Sequence, residues 1–222
     1  MRRARSVLVM FLPIVWVIYA AGSLAAAANG SAPGELEALM RRFASSGGVR
    51  ARFRESRQLV ILTDPIETTG MLYFAPPDRL ARHTTWPGRS SVVIEAERVL
   101  LADETGKRVF DLNTSEVARA LVGNLMIVFR GDLESLRARY AISFDSNAER
   151  WTLDLEPRSR DVRGVIERIR FVGHGRNLTD METRESNGDR TIMELSEIEV
   201  GLTWGQRDLD RIFSVNPPDD TP

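Results

Sequence analysis

The chain has 222 residues, 43% of them hydrophobic and 27% charged, with no cysteine. This is ordinary globular usage, enough for one domain of normal size. It excludes a mostly disordered, collagen-like or polytopic membrane chain, together with disulfides, thiolate metal sites, cysteine nucleophiles and a cysteine-tethered lipoprotein. Thirty basic residues against 31 acidic ones leave a net charge of -1, so no global field favours nucleic acid.

Arg2, Arg3 and Arg5 precede an apolar run from Val7 to Ala21, broken only by Pro13 and Tyr19, and the small residues Ala25 to Ala28 offer A-x-A cleavage points. The pattern predicts a cleaved secretory signal over residues 1–28. An uncleaved anchor is the alternative, because the run approaches the ~20 residues that span a bilayer. Without the leader's three arginines the remaining chain carries a net charge of -4.

Leu36, Leu39, Met40 and Phe43 recur at helical spacing and stop at Gly47-Gly48, which predicts a first helix. From Val49 the period becomes two, with Val49, Ala51 and Phe53 alternating with Arg50, Arg52 and Arg54. A strand is expected to run on through the apolar stretch Leu59 to Leu62 until Asp64-Pro65 breaks it. Further strands are expected at Met71 to Phe74, Leu80 to Trp86, Ser91 to Ala96, Arg98 to Ala102 and Arg108 to Leu112, punctuated by Pro76-Pro77, Pro87-Gly88 and Glu104-Thr105-Gly106. Thr114 to Arg139 then returns to helical spacing through Val117, Leu121, Leu125, Phe129, Leu133 and Leu136. Two short helices fit, the second starting at Asp132. Strands resume at Tyr140 to Phe144, Trp151 to Leu155 and Val165 to Phe171, and after the turn signal Asn187-Gly188 a last one covers Thr191 to Val200. Two blocks of strands that do not alternate with helices predict a β-dominated α+β fold on a strongly curved antiparallel sheet. The amphipathic helices need that sheet to cover their apolar faces, either as a solid core or as a lid over a cavity.

Catalytic motifs are not supported. His83 and His174 lie far apart and outside any H-E-x-x-H or H-x-H pattern, so no metal or other cofactor is expected. Gly173-His174-Gly175 lacks the third glycine of a dinucleotide loop, and no G-x-S-x-G elbow exists. Glu194, Glu197, Glu199 and Asp103 are the carboxylates available to a rival reading, an envelope glycan- or ester-hydrolysing enzyme; it requires them to converge in a polar cleft.

The order of these pieces resembles the LolA family of periplasmic carriers that move lipoproteins between two bacterial membranes. The resemblance runs from about Leu36 to Pro217 and is carried by several segments. They are the strand holding Phe53, Gly70-Met71-Leu72 with its Pro76-Pro77 turn, Val99 to Asp103 with Arg108 to Leu112, Leu153 to Pro157, the hairpin from Ile169 to Met181, Asp189 to Leu195, and the closing Phe213 to Pro218. It implies an unclosed β-barrel with helices forming a lid over an apolar cavity, a single domain over 29–217 with a tail at 218–222, and a soluble periplasmic monomer without catalysis. Its cargo would be the acyl chains of lipoproteins or another lipid or glycolipid, received from an inner-membrane donor and passed to an outer-membrane acceptor, with no nucleic acid involved. The lipid-facing residues implied are Leu72, Phe74, Leu80, Leu121, Leu125, Met126, Ile127, Phe129 and Trp151. Where the family places an arginine tied to lid opening, before the proline of the turn, this chain has Pro76; Arg79 and Arg82 lie nearby but off the motif.

Overall fold

The computed structural model describes residues 34–114, 126–147 and 149–215. Helix α1 covers Glu35–Ala44, and two antiparallel meanders follow. The first comprises β1 (Gly48–Gln58), β2 (Ile66–Ala75), β3 (Arg79–Trp86), β4 (Ser90–Glu95), β5 (Arg98–Asp103) and β6 (Gly106–Asp111). The second comprises β7 (Tyr140–Ser146), β8 (Trp151–Pro157), β9 (Ile166–His174), β10 (Asn177–Glu185) and β11 (Arg190–Leu202). Between the meanders lie helical residues 126–130 and α2 (Leu133–Arg139); α3 (Arg160–Arg163) precedes β9 and α4 (Gln206–Ile212) follows β11.

Pairing of the first strand with the last joins both meanders into one 11-stranded sheet, in the order β6-β5-β4-β3-β2-β1-β11-β10-β9-β8-β7. The ends β6 and β7 stay unpaired with each other, which makes this an unclosed barrel. Register fixes two faces. Val49, Ala51 and Phe53 of β1 stand opposite Phe74, Leu72 and Gly70 of β2. With Leu80, Ile94, Leu153 and Phe171 they form the inner face, covered by Leu39, Met40 and Phe43 of α1 and by Leu136 of α2. The alternate positions face outward: Arg50, Arg52 and Arg54 pair with Glu199, Glu197 and Glu67. On β2 to β4 the outer face is apolar instead, because Tyr73, Ala75, Ala81 and Val93 receive Ile212 and Phe213.

The α2 helix begins as its sequence suggests, with the Asp132 side chain accepting from the Ser135 N–H at 3.0 Å. That cap satisfies a donor the first turn would leave open. Two expectations differ. Strand β1 ends at Gln58, and Leu59 to Leu62 form a turn closed by the Leu62 N–H on the Leu59 carbonyl at 3.0 Å; an unbroken apolar run carries no alternation and so does not by itself specify a strand. Helices α3 and α4 are also additions, too short and too polar for periodicity to register. Of the first of the two helices expected over Thr114 to Arg139, the part with Val117, Leu121 and Leu125 lies outside the described residues, while residues 126–130 are helical. Among the described residues no helix is long and apolar enough to cross a membrane.

Candidate functional site

The inner face gathers the residues singled out from the sequence. Leu72, Phe74, Leu80, Met126, Ile127, Phe129 and Trp151 all belong to one buried apolar cluster. They come from β2, β3, β8 and the helical residues 126–130; Leu121 and Leu125 lie outside the described residues. Phe129 stacks on Phe74 with ring centroids 5.3 Å apart, and Phe43 meets Trp151 edge-on at 5.8 Å. Met126, Ile127, Val128 and Phe129 are each at most 4% exposed. A gap of about 10 Å³ remains, lined by Phe43, Phe129, Leu178 and Leu195 with Ser46 and Arg176, roughly the room one water needs.

Two glycines let these layers approach. A Cβ on Gly70 would lie 1.9 Å from the His83 carbonyl oxygen and 2.8 Å from the Phe53 ring, so only hydrogen fits beneath that aromatic. Gly131 closes the helical residues 126–130 at a φ of 64°, and a Cβ there would lie 2.1 Å from the Met40 carbonyl oxygen of α1. Its left-handed backbone and missing side chain seat the segment against α1.

Arg82 is the polar feature of this face, two residues from Leu80 on the same side of β3. Its guanidinium lies 4.4 Å from the centre of the Phe53 ring and donates to Glu55 Oε1 at 2.9 Å and Thr68 Oγ1 at 3.1 Å, while its Nε is buried without a partner. Arg79 faces the other way, pairing with Glu95 at 3.5 Å beside the Phe213 ring. Of the two arginines near the Pro76 turn, Arg82 alone joins the inner face. Alternation from Leu80 was the signal that could have found it.

His83 is buried on the outer face, where its Nε2–H donates to the Ile212 carbonyl at 2.7 Å and its Nδ1 accepts from the Ser91 hydroxyl at 2.9 Å. Burial holds its pKa below the ordinary histidine value, outweighing the carbonyl bond that raises it. It therefore pins α4 to the sheet as a neutral ring. His174 is exposed and bonded to the Glu149 carbonyl. Glu197 and Glu199 pair with Arg52 and Arg50 at 3.0 and 2.6 Å. Asp103, held below the usual carboxylate range by Thr105 and Arg108, sits on β5, with four strands between it and β11. These carboxylates do not converge. Among the described residues no group of three or more His, Cys, Asp or Glu is placed to hold a metal ion. A second hollow of about 220 Å³, between α1 and the β7–β8 hairpin, mixes Glu35, Arg42, Glu149 and Arg150 with Phe144 and Trp151.

Residues 26–197 match the family model described as outer membrane lipoprotein carrier protein, LolA-like. No curated protein matches in sequence. Among solved structures, the Pseudomonas aeruginosa MucA/MucB complex aligns at 11% identity and a TM-score of 0.45 over 78% of this chain, which spans 58% of the matched chain. A LolA superfamily protein from Nitrosomonas europaea aligns at 8% identity and a TM-score of 0.42, covering 78% of this chain and 96% of that one. A DUF1329 family protein from Desulfovibrio piger aligns at 11% identity and a TM-score of 0.48, covering 81% and 94%.

Proposed function

Because the chain belongs to the LolA-like family of outer membrane lipoprotein carrier proteins, we propose that it is a periplasmic carrier that shelters an acyl chain against the inner face of its sheet and hands it on without covalent chemistry. The cargo is a lipoprotein or another acylated lipid, taken from an inner-membrane donor and given to an outer-membrane acceptor.

The observation that carries this reading is the seating of residues 126–130. Four consecutive side chains, Met126 to Phe129, are buried on the inner face, and Phe129 rests on Phe74. Burying four such groups is worth ~6–12 kcal/mol gross at ~1.5–3 kcal/mol each. Sheltering about 14 methylenes of one acyl chain is worth ~11 kcal/mol at ~0.8 kcal/mol each. An arriving chain that displaces the segment exchanges one apolar surface for another at nearly balanced free energy. Loading and release then need no energy-coupled step inside the carrier, only a partner that keeps the chain out of water.

Native mass spectrometry of the protein purified from envelope extract tests the reading. The expected result is a population carrying the added mass of an acylated molecule, lost when Phe129 is replaced by aspartate. Apo protein alone, with no uptake of an acylated lipid offered in detergent, rejects it.

A further inference from the structure

The β1–β2 connection places Leu59, Val60, Ile61 and Leu62 in a row, and the last three are exposed by 68%, 88% and 46%; Ile66, opening β2, is 43% exposed. The turn is built, not slack. Besides its own Leu62-to-Leu59 bond, the Val60 N–H donates to Asp189 Oδ1 at 2.9 Å, and Val60 Cγ2 lies 3.0 Å from where a Cβ on Gly188 would stand. The tip is thus braced by the β10–β11 turn while its largest apolar groups face water.

We propose that this hairpin tip is a bilayer-docking wedge, which inserts Val60, Ile61 and Leu62 into the interfacial region of a membrane. The exposed apolar surface of these three with Ile66 is about 400 Å², close to the largest patch an ordinary soluble monomer carries and half of the ~800 Å² that each side of a stable protein interface buries. It is a convex tip, too small to hold a protein partner by itself and well shaped to enter loosely packed acyl chains. Charge around it selects no anionic headgroup. Arg57 is engaged by Glu185 at 3.3 Å, Arg190, opposite Gln58 at the strand end, is engaged by Glu182 at 2.8 Å, and Asp189 accepts from the Val60 N–H. The attraction is therefore apolar, and uncharged bilayers should suffice.

The tip also stands at the open end of the inner face. Along that face of β1, Phe53 is fully buried, the Glu55 side chain is 18% exposed and the Arg57 side chain 47%. A chain leaving in that direction would meet the bilayer that the tip has entered; this last step alone rests on the carrier reading.

The chain has no cysteine, so Ile61→Cys accepts a single environment-sensitive fluorophore, and Val109→Cys on β6 serves as an exposed apolar control. With phosphatidylcholine vesicles, the label at 61 should shift to the blue and the protein should float with the vesicles at both low and high salt, while the label at 109 stays in water. Ile61→Asp should weaken partition about tenfold or more, since a carboxylate resists entry into the apolar layer. An unshifted label at 61, or equal partition of Ile61→Asp and the parent chain, overturns the proposal. So does a concentration-dependent doubling of mass in solution that Ile61→Asp abolishes, which would make the tip a self-association surface. Vesicle binding without acyl uptake keeps the wedge and rejects the carrier; uptake without vesicle binding does the reverse.

Discussion

Phe129 lies almost parallel to Phe74, their planes inclined by 27° and their centroids 5.3 Å apart, and this contact joins helical residues 126–130 to β2. Stacked aromatics bring large apolar area together with geometric preference. Phe129→Ala should therefore cost ~3–5 kcal/mol of docking, spent on local release of the segment and not on the sheet. Hydrogen exchange should show lost protection at 126–130 with β1 and β11 unchanged. Phe129→Asp, which leaves a charge facing the apolar interior, should also abolish acyl binding. Cooperative loss of protection throughout the chain would instead identify these residues as fixed core.

Gly131 sets the angle at which the segment meets α1. Gly131→Ala asks a side chain to adopt a φ of 64° and to stand 2.1 Å from the Met40 carbonyl oxygen. The left-handed conformation alone costs ~1–2 kcal/mol, and the clash adds to it. Faster exchange at 126–130 and a lower melting temperature are expected, while Gly106→Ala, where nothing lies within 4 Å of the added carbon, should suffer only its backbone strain.

Glu197→Gln and Glu199→Gln should leave folding and acyl uptake essentially unchanged. Their side chains are 63% and 48% exposed in the pairs with Arg52 and Arg50, and exposed ion pairs contribute ~0–1 kcal/mol. Melting curves and uptake of a labelled acyl chain are the measurements. If either substitution removed an envelope function with folding and uptake intact, the hydrolase reading would gain.

What the sequence made legible is local. Val49, Ala51 and Phe53 alternate with arginines because one face is dry and the other pairs with glutamates of β11 and β2, so the strand could be read before its partners were known. Leu59 to Leu62 misled because apolar character says nothing about whether a residue is covered. Seen alone, a buried strand end and an exposed tip read alike. Helix α4 was missed for a different reason. Its seven residues carry few apolar positions, and one of its anchors is the Ile212 carbonyl on His83, 129 residues away in the chain. Among the lipid-facing candidates, Leu72, Phe74 and Leu80 come from the family resemblance, since Met71 to Phe74 is apolar throughout and shows no alternation, and the Arg82–Glu55 pair needs the β1–β2–β3 register to bring its members together.

Stability should fall in two stages on acidification. Burial holds His83 below its ordinary value of 6.5, so its contribution is complete above about pH 6.5 and is lost as pH falls toward the lower folded value. Glu182, bonded to Arg190 and Arg184, is held at about 2 against 4.5 ordinarily. Its contribution is present above about pH 4.5 and disappears as pH drops toward 2. Denaturant titrations across pH should show both declines, with His83→Gln flattening the upper one and Glu182→Gln the lower. An upper decline that survives in His83→Gln would assign it to another group.

The segment's opening free energy can be bounded from its own residues. Releasing 126–130 exposes four apolar side chains, a loss of ~6–12 kcal/mol by area, while the five residues regain ~5–10 kcal/mol of backbone entropy. The difference is a few kcal/mol, less than the 5–15 kcal/mol that typically holds a whole domain together. Pro76, where the family's arginine is expected, has neither a side-chain donor nor a backbone N–H with which to hold the segment. Residues 126–130 of the ligand-free protein should therefore exchange through local opening, orders of magnitude faster than the central pair β1 and β11. An added acylated lipid should change exchange there before it changes the sheet. Protection at 126–130 equal to that of β1 and β11 would mean that the segment opens only when the whole sheet unfolds, and a carrier that loads by displacing it would be ruled out.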